Sequence, residues 1–273
     1  MRTFLIASLL CFLQPPHAQE APRIVSLGSS VTEILYALGV QDQIVAVDSG
    51  SQFPEAAKSL PKVGYVRTLS AEGLLSLQPK LIIGTTEAGP PQTLAYLREA
   101  GVDCLIVPEE HSLEGVEKKI TAIGGRLGRT DEAQALVQQL QEAKGKLAAL
   151  PATQPKVVFV SSRGANGMMA AGTDTAAHAM LTLAGAKNVA DTYKGYKPLS
   201  AEYLTVAEPD VIVTGKRTLE TSGGLKAFLK HPALENTPAG KNKRVVALDD
   251  IYLLGFGPRA GQAALELSEA IRK

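Results

Sequence analysis

The sequence predicts an α/β protein of two Rossmann-like lobes with mostly parallel sheets, joined by a single long α-helix, with a ligand cleft between the lobes. Three observations lead there. Short apolar runs alternate with helical patterns along most of the chain, as in sheets whose faces are covered by helices. A run of strong helix formers near the middle interrupts that alternation. The segment starting at Leu69 recurs, changed but recognisable, at Leu199.

The first strand is Arg23-Ile-Val-Ser-Leu27. Gly28-Ser-Ser and a helical pattern through Leu38 follow, with Ser30 and Glu33 spaced as a capping box. Ile44-Val-Ala-Val47, Lys80-Leu-Ile-Ile-Gly84 and Cys104-Leu-Ile-Val107 are the next strands, and 70–77 and 91–100 read as helices between them. Residues 130–150 are built largely from strong helix formers, with Leu136, Leu140, Leu147 and Leu150 on one apolar stripe. Pro151 and Pro155 end that helix. At about 20 residues it spans about 30 Å, enough to run the height of a lobe. The alternation then restarts with a strand at 156–160, a helix at 173–184 capped by Thr173 or Asp174, strands at 210–213 and 244–248, and a closing helix at 261–272.

The repeat argues for two similar lobes. Leu69-Ser-Ala-Glu-Gly-Leu-Leu-Ser-Leu-Gln-Pro-Lys-Leu-Ile-Ile and Leu199-Ser-Ala-Glu-Tyr-Leu-Thr-Val-Ala-Glu-Pro-Asp-Val-Ile-Val each read as Leu-Ser-Ala-Glu, short helix, proline, strand. One equivalent helix per lobe is the economical reading.

Composition narrows the function. The chain has 273 residues, and 28 Lys+Arg against 27 Asp+Glu exclude a basic nucleic-acid binder and an acidic disordered tail alike. Residues 1–18 read as a cleavable signal peptide: Arg2 supplies the positive start, Phe4 to Leu13 the apolar run, and Ala18 the small residue at the cut. That run is too short to span a bilayer, which needs about 20 residues. Cys11 resembles a lipid-attachment site, but bulky Leu10 stands where a small residue belongs. The expected organisation is therefore a signal peptide at 1–18, an N-terminal lobe at 19–128, a linking helix at 129–151 and a C-terminal lobe at 152–273. Beyond the leader Cys104 is the only cysteine, which excludes an intramolecular disulfide, a Cys-x-x-Cys redox site and a thiolate zinc cluster. Its apolar surroundings read as a strand, hence a buried, inert thiol.

Enzyme motifs are missing: the sequence has no Gly-x-Ser-x-Gly, no His-Glu-x-x-His and no Walker loop. His111, His178 and His231 are far apart and read as surface or packing residues. An exported, charge-balanced, two-lobed α/β chain fits a solute-binding protein that holds its ligand where strand C-termini face the cleft. The informative segment is Val63-Gly-Tyr-Val-Arg-Thr-Leu69. If 64–67 is extended, Tyr65 and Arg67 point to the same face. A guanidinium beside a phenol favours the phenolate, a hard anionic ligand suited to ferric iron; tyrosine also ligates haem iron. The alternative is a tyrosine packed at the lobe edge with Arg67 solvated.

Tyr65-x-Arg67-x-Leu69-Ser-Ala-Glu-Gly73, Met169-Ala-Ala-Gly172, Asn236-Thr-Pro-Ala-Gly240 and Leu253-Leu-Gly-Phe-Gly-Pro-Arg259 together resemble the periplasmic haem-binding proteins of bacterial haem ABC importers, solute-binding proteins with a helical backbone between lobes. The resemblance runs from Arg23 to the end. It implies a monomer in the periplasm that binds ferric haem and passes it to an inner-membrane permease dimer, with an outer-membrane haem receptor upstream. It further implies that Tyr65 is the axial iron ligand, that Arg67 hydrogen-bonds its phenolate, and that Glu72 and Glu202 dock onto permease arginines. One equivalent glutamate per lobe independently fits a two-fold partner, although each also suits a helix N-terminus. The haem propionates need cations; Arg217 leads, with Lys216 and Arg163 behind it, each equally able to be a solvated surface charge. Met168, Met169 and 252–256 could cover the porphyrin, though core packing explains them equally well. Some members of that family add a histidine from the loop after the second lobe's first strand. Here that loop, Ser161-Ser-Arg-Gly-Ala-Asn-Gly-Met-Met169, has none, so the expectation is five-coordinate haem on Tyr65. The rivals are a corrinoid or ferric-siderophore binder of the same fold, and an exported α/β enzyme acting on a small substrate.

Overall fold

The computed structural model describes residues 23–151, 154–162 and 167–273. The leader at 1–18 and Arg163 lie outside them. In the first lobe the elements run β1 (Ile24–Leu27), α1 (Ser29–Ala37), β2 (Ile44–Val47), α2 (Ala71–Leu75), β3 (Leu81–Thr85), α3 (Pro91–Glu99), β4 (Asp103–Val107) and α4 (Leu113–Leu127). Its four strands pair in the order β2-β1-β3-β4, all parallel. Strands buried on both faces need near-continuous apolar sequence, and Ile24-Val-Ser-Leu27 and Leu81-Ile-Ile are buried throughout.

Helix α5 (Thr130–Ala148) leads into the second lobe. There follow β5 (Lys156–Ser162), β6 (Met168–Ala171), α6 (Ala176–Leu183), β7 (Lys187–Asn188), β8 (Tyr196–Pro198), α7 (Ala201–Ala207) and β9 (Val211–Gly215). Next come α8 (Lys216–Thr221), α9 (Leu225–Leu229), α10 (Pro232–Glu235), α11 (Pro238–Lys241), β10 (Val245–Leu248), α12 (Asp250–Leu254) and α13 (Ala260–Arg272). The sheet is ordered β10-β9-β5-β6-β8, with β7 also on β5. Strands β10, β9, β5 and β7 are parallel, while β6 and β8 join antiparallel. This second sheet is mixed where the sequence implies mainly parallel strands, because β6 turns straight back along β5.

The repeat survives in three dimensions. Ser70 caps α2 by accepting from the Gly73 amide, and Ser200 caps α7 by accepting from the Tyr203 amide. Leu74 and Leu204 are each the buried anchor of their helix. Gln78 and Glu208, at equivalent places before a proline, both adopt φ 49, a left-handed conformation uncommon outside glycine.

Two local expectations change. Helix α1 begins at Ser29 after Gly28, without a side-chain cap, so Ser30 and Glu33 form no capping box and their polar atoms are used elsewhere. Helix α6 starts at Ala176 and is capped by Thr175, not by Thr173 or Asp174.

One apolar core runs through both lobes. Ile24, Ile34 and Ile83 of the first sheet layer join Val157, Phe159 and Val213 of the second, through Leu140 of α5 and Ala264 and Leu267 of α13. Leu136 and Leu147 pack on it half-buried. Helices α5 and α13 meet closely at Gly261, where a Cβ would stand 2.6 Å from that of Ala143. Gly261→Ala is therefore expected to destabilise the protein by about 1–3 kcal/mol, the usual cost of overpacking. Chemical denaturation checks this, and an unchanged midpoint would show that the two helices can part freely.

Candidate functional site

The parallel strands of the first sheet end at a hollow. The chain leaves β1 toward β2 on one side, then returns to build β3 and β4 on the other. The C-terminal ends of β1 and β3 therefore flank a topological switch point, where ligands bind in open α/β sheets. Gly28 and Ser30 after β1, Asp48 after β2, Thr85 at the end of β3 and Glu109 and His111 after β4 line the hollow. Leu254 and Gly255, at the end of α12, close it from the second lobe.

Tyr65 reaches this hollow on a tight turn. Gly64, at φ +95, reverses the chain into a conformation that a side-chain-bearing residue rarely adopts. The Thr68 amide then donates to the Tyr65 carbonyl at 2.9 Å, closing a turn over 65–68. Val66 and Leu69 plug into the lobe's core. The Gly89 amide donates to the Val66 carbonyl, and the Leu69 amide to that of Gly89. Anchored on both sides, the turn leaves Tyr65 54% exposed. The segment is not extended as the sequence reading supposed, so strand alternation does not bring Arg67 beside the phenol. The Arg67 guanidinium instead donates to the Glu87 carboxylate, an exposed pair of the kind that contributes about 0–1 kcal/mol.

Most polar groups in the hollow are already committed. Asp48, almost fully buried, accepts from the amides of Gly28 and Gly50 at 2.9 and 2.7 Å and from the Ser51 hydroxyl at 2.6 Å. Lys119 of α4, whose side chain is wholly buried, donates to Glu109 at 2.6 Å and to the Ser30 hydroxyl at 2.9 Å. Desolvating an ammonium is costly unless it is paired and hydrogen-bonded. The pair thus fixes Glu109 at the hollow's floor and accounts for Ser30.

Beside the hollow, the lobes are joined by one charged fork. Arg259, at the start of α13, donates from Nε and Nη2 to the two carboxylate oxygens of Glu33 at 2.8 and 2.9 Å. The Glu33 side chain is 8% exposed. The guanidinium carbon lies 3.5 Å from the ring centroid of Phe53 in the first lobe and 4.9 Å from that of Tyr252 in the second. A planar cation can stack and form a bidentate fork at once, which lysine cannot. Phe256 adds a second crossing contact, its ring centroid 5.1 Å from that of His111.

The other anticipated residues lie apart from this hollow. Arg217 is exposed on the first turn of α8, and its backbone amide donates to Asp250. Met168 and Met169 are half-buried on β6, with Met168 packed against the second lobe's core. Glu72 and Glu202 are exposed in the first turns of α2 and α7. His178 bonds with Asn188, and His231 caps α10, so these two histidines have local structural work. Cys104 is half-buried on β4, and burial pushes its thiol up, away from the reactive thiolate. No group of His, Cys, Asp and Glu among the described residues could hold a metal ion unaided. The sequence reading missed the Glu33–Arg259 and Lys119–Glu109 pairs. Their partners are brought together only by the fold, and Gly-Phe-Gly-Pro-Arg259 was the one visible signal.

The fork's contribution is measurable. Glu33→Gln is expected to lower stability by about 1.5–3 kcal/mol, the range for a hydrogen bond to a charged group. Arg259→Lys should lower it similarly, both read by urea denaturation; losses below about 0.5 kcal/mol would mark an ordinary surface pair. Tyr252 gives a pH test. Burial, and then its hydrogen bond to Glu266, push the phenol up to about 12. The unfolded phenol ionises near about 10, so stability should fall as pH rises from there toward about 12. Denaturation at stepped alkaline pH reads that fall, and Tyr252→Phe should flatten it.

The sequence matches the family model described as periplasmic binding protein over residues 24–252. The solved periplasmic heme-binding protein RhuT of Roseiflexus sp. RS-1 superposes with a TM-score of 0.86 at 43% identity, over 92% of this chain and 98% of that one. Further solved heme-binding proteins superpose at 0.79 to 0.86. The ABC transporter substrate-binding lipoprotein YvrC of Bacillus subtilis is 30% identical over 93% of this chain and 81% of its own. The vitamin B12-binding protein of Vibrio parahaemolyticus is 25% identical over 92% and 90%. With this match spanning nearly all the described residues, the chain belongs to the periplasmic binding protein family, the extracytoplasmic substrate-binding components of ABC transporters, and not to a family of enzymes.

Proposed function

We propose that this protein captures ferric haem in the hollow between its lobes and delivers it to the permease dimer of an inner-membrane ABC importer. It would do so as a periplasmic monomer, after loss of residues 1–18 and downstream of an outer-membrane haem receptor. The observation that carries the reading is Tyr65. A phenol anchored by its own turn, half-exposed at a topological switch point, is placed to offer an oxygen ligand to an incoming ferric ion. A guanidinium has five donors. Arg67, bound to Glu87 through one nitrogen, keeps others for a Tyr65 phenolate. Arg217 serves a propionate, Met168 and Met169 cover the porphyrin from the second lobe, and Glu72 and Glu202 meet cationic side chains of the permease. The pairing of those glutamates by the repeat suits a two-fold partner.

A corrinoid is the nearest rival, because vitamin B12-binding relatives share the family. Two points favour haem. The similarity to a heme-binding protein is 43%, against 25% to a vitamin B12-binding one. A corrinoid or a ferric siderophore also arrives with its metal already coordinated and has no use for a free phenol.

Titration with ferric haem is expected to give a saturable Soret change and a phenolate-to-iron charge-transfer band. Tyr65→Phe should lose that band and bind more weakly. Equal spectra for the two proteins would remove Tyr65 as the ligand. Saturation by cobalamin or a ferric siderophore, and not by haem, would move the assignment to those ligands.

A further inference from the structure

We infer that Asp48 is the positioning residue for Tyr65: its buried carboxylate, oriented by a relay of three hydroxyls, fixes the backbone rung from which the tyrosine's turn springs. The inference rests on the reading of Tyr65 as the iron ligand and adds the group that aims it.

The near anchor of Tyr65 is a short backbone ladder. β2 is the edge strand of the first sheet, and the chain returns along its free side. The Val47 amide donates to the Pro61 carbonyl and the Val63 amide to the Val47 carbonyl, each at 3.0 Å, with Lys62 paired in parallel to Val47. The last rung is the Ser49 amide donating to the Gly64 carbonyl at 2.8 Å. Gly64 immediately precedes Tyr65, so the place of Ser49 sets where the phenol leaves the sheet.

Ser49 lies between the residues that Asp48 ties down. The Asp48 carboxylate reaches over its own turn to the Gly50 amide, and across to the Gly28 amide at the end of β1. A Cβ on Gly50 would stand 2.8 Å from Asp48 Oδ2, so any side chain there would push the carboxylate away. Ser51 gives its one hydroxyl hydrogen to Asp48 Oδ1. Its 2.7 Å contact with Thr32 is then one in which Thr32 donates, and the 2.7 Å contact of Thr32 with Ser26 one in which Ser26 donates. All four side chains are almost fully buried. There a satisfied chain of hydrogen bonds fixes one geometry, and a broken one leaves a costly unpaired group. Groups that orient a metal ligand without touching the metal work in this way.

Hydrogen exchange of the unloaded protein and visible spectra of the ferric haem complex test the inference. Asp48→Asn, which sets an amide NH2 against donors, is expected to speed exchange of the amides over 62–69 and to shift the phenolate-to-iron band. It should weaken haem binding about 10–100-fold, the usual loss when a group supporting a metal ligand is removed. In a Tyr65→Phe background the same change should cost no more than about twofold, the coupling expected if Asp48 acts through the tyrosine. Thr32→Val keeps the shape and breaks the relay. It should reproduce these effects more weakly, and Thr32→Ser should return the parent spectrum and exchange. Equal losses from Asp48→Asn with and without Tyr65 would overturn the assignment, as would exchange over 62–69 unchanged in both Asp48→Asn and Thr32→Val. Absence of saturable haem binding by the parent, with that exchange still faster in the variants, would overturn the haem reading and leave the positioning of the Tyr65 turn standing.

Discussion

The bidentate contact of Arg259 with Glu33 is the constraint on which the cleft depends. It is the charged tie between α1 and α13, and it is roofed by rings from both lobes. The carboxylate is too deeply buried to be left unpaired, because an isolated buried charge is far costlier than a paired one. The position of α13 over α1 is thereby specified, and so is the backbone just before it. Gly255, Phe256 and Gly257 must pass beside the hollow for Arg259 to reach its partner. A Cβ at Gly257 would sit 3.2 Å from the Glu33 carboxylate, tighter than ordinary contact.

The continuous core complements that tie. In a solute-binding protein with flexible strand linkers, the lobes swing apart as separate bodies. Here Leu140 on α5 and Leu267 on α13 are buried in the same cluster as the strands of both sheets. Large rotation would tear apolar surface out of that cluster, at about 25 cal/mol for each Å² exposed. Small adjustments about a stiff helix are the motion this architecture permits. Ligand entry then depends on the side chains at the rim more than on wholesale opening.

The strands, the long helix and the repeat were legible because each is a local property: an apolar run, a run of helix formers, a recurring segment. Helix α4 was not read, although Ser112 caps it and Gly128 ends it at φ +65. Its interior glycines 115, 124 and 125 and a wholly buried lysine dilute both propensity and amphipathic pattern. Strands β6, β7 and β8 are two to four residues long and exist by virtue of their pairing partners. At the site, the chemical identity of Tyr65 was readable but its setting was not. Gly64 turns the chain where alternation predicts an extended run, and Arg67 pairs with Glu87. Ser30 and Glu33 kept the spacing of a cap while serving Lys119 and Arg259, partners that lie 89 and 226 positions away.

The shared φ of Gln78 and Glu208 bears on how segments of the two halves could be exchanged. Neither residue is glycine, and holding an ordinary residue in the left-handed region costs on the order of 1–3 kcal/mol. The two halves keep this kink at the same step before a proline, with an amide at one place and an acid at the other, so the turn of the backbone does not depend on the chemistry of the side chain there. Beyond the kink the halves differ: the first carries Tyr65, while the second adds the antiparallel pairings of β6 with β5 and of β8 with β6. Grafting between the halves should therefore respect the kinks before the residues that occupy them.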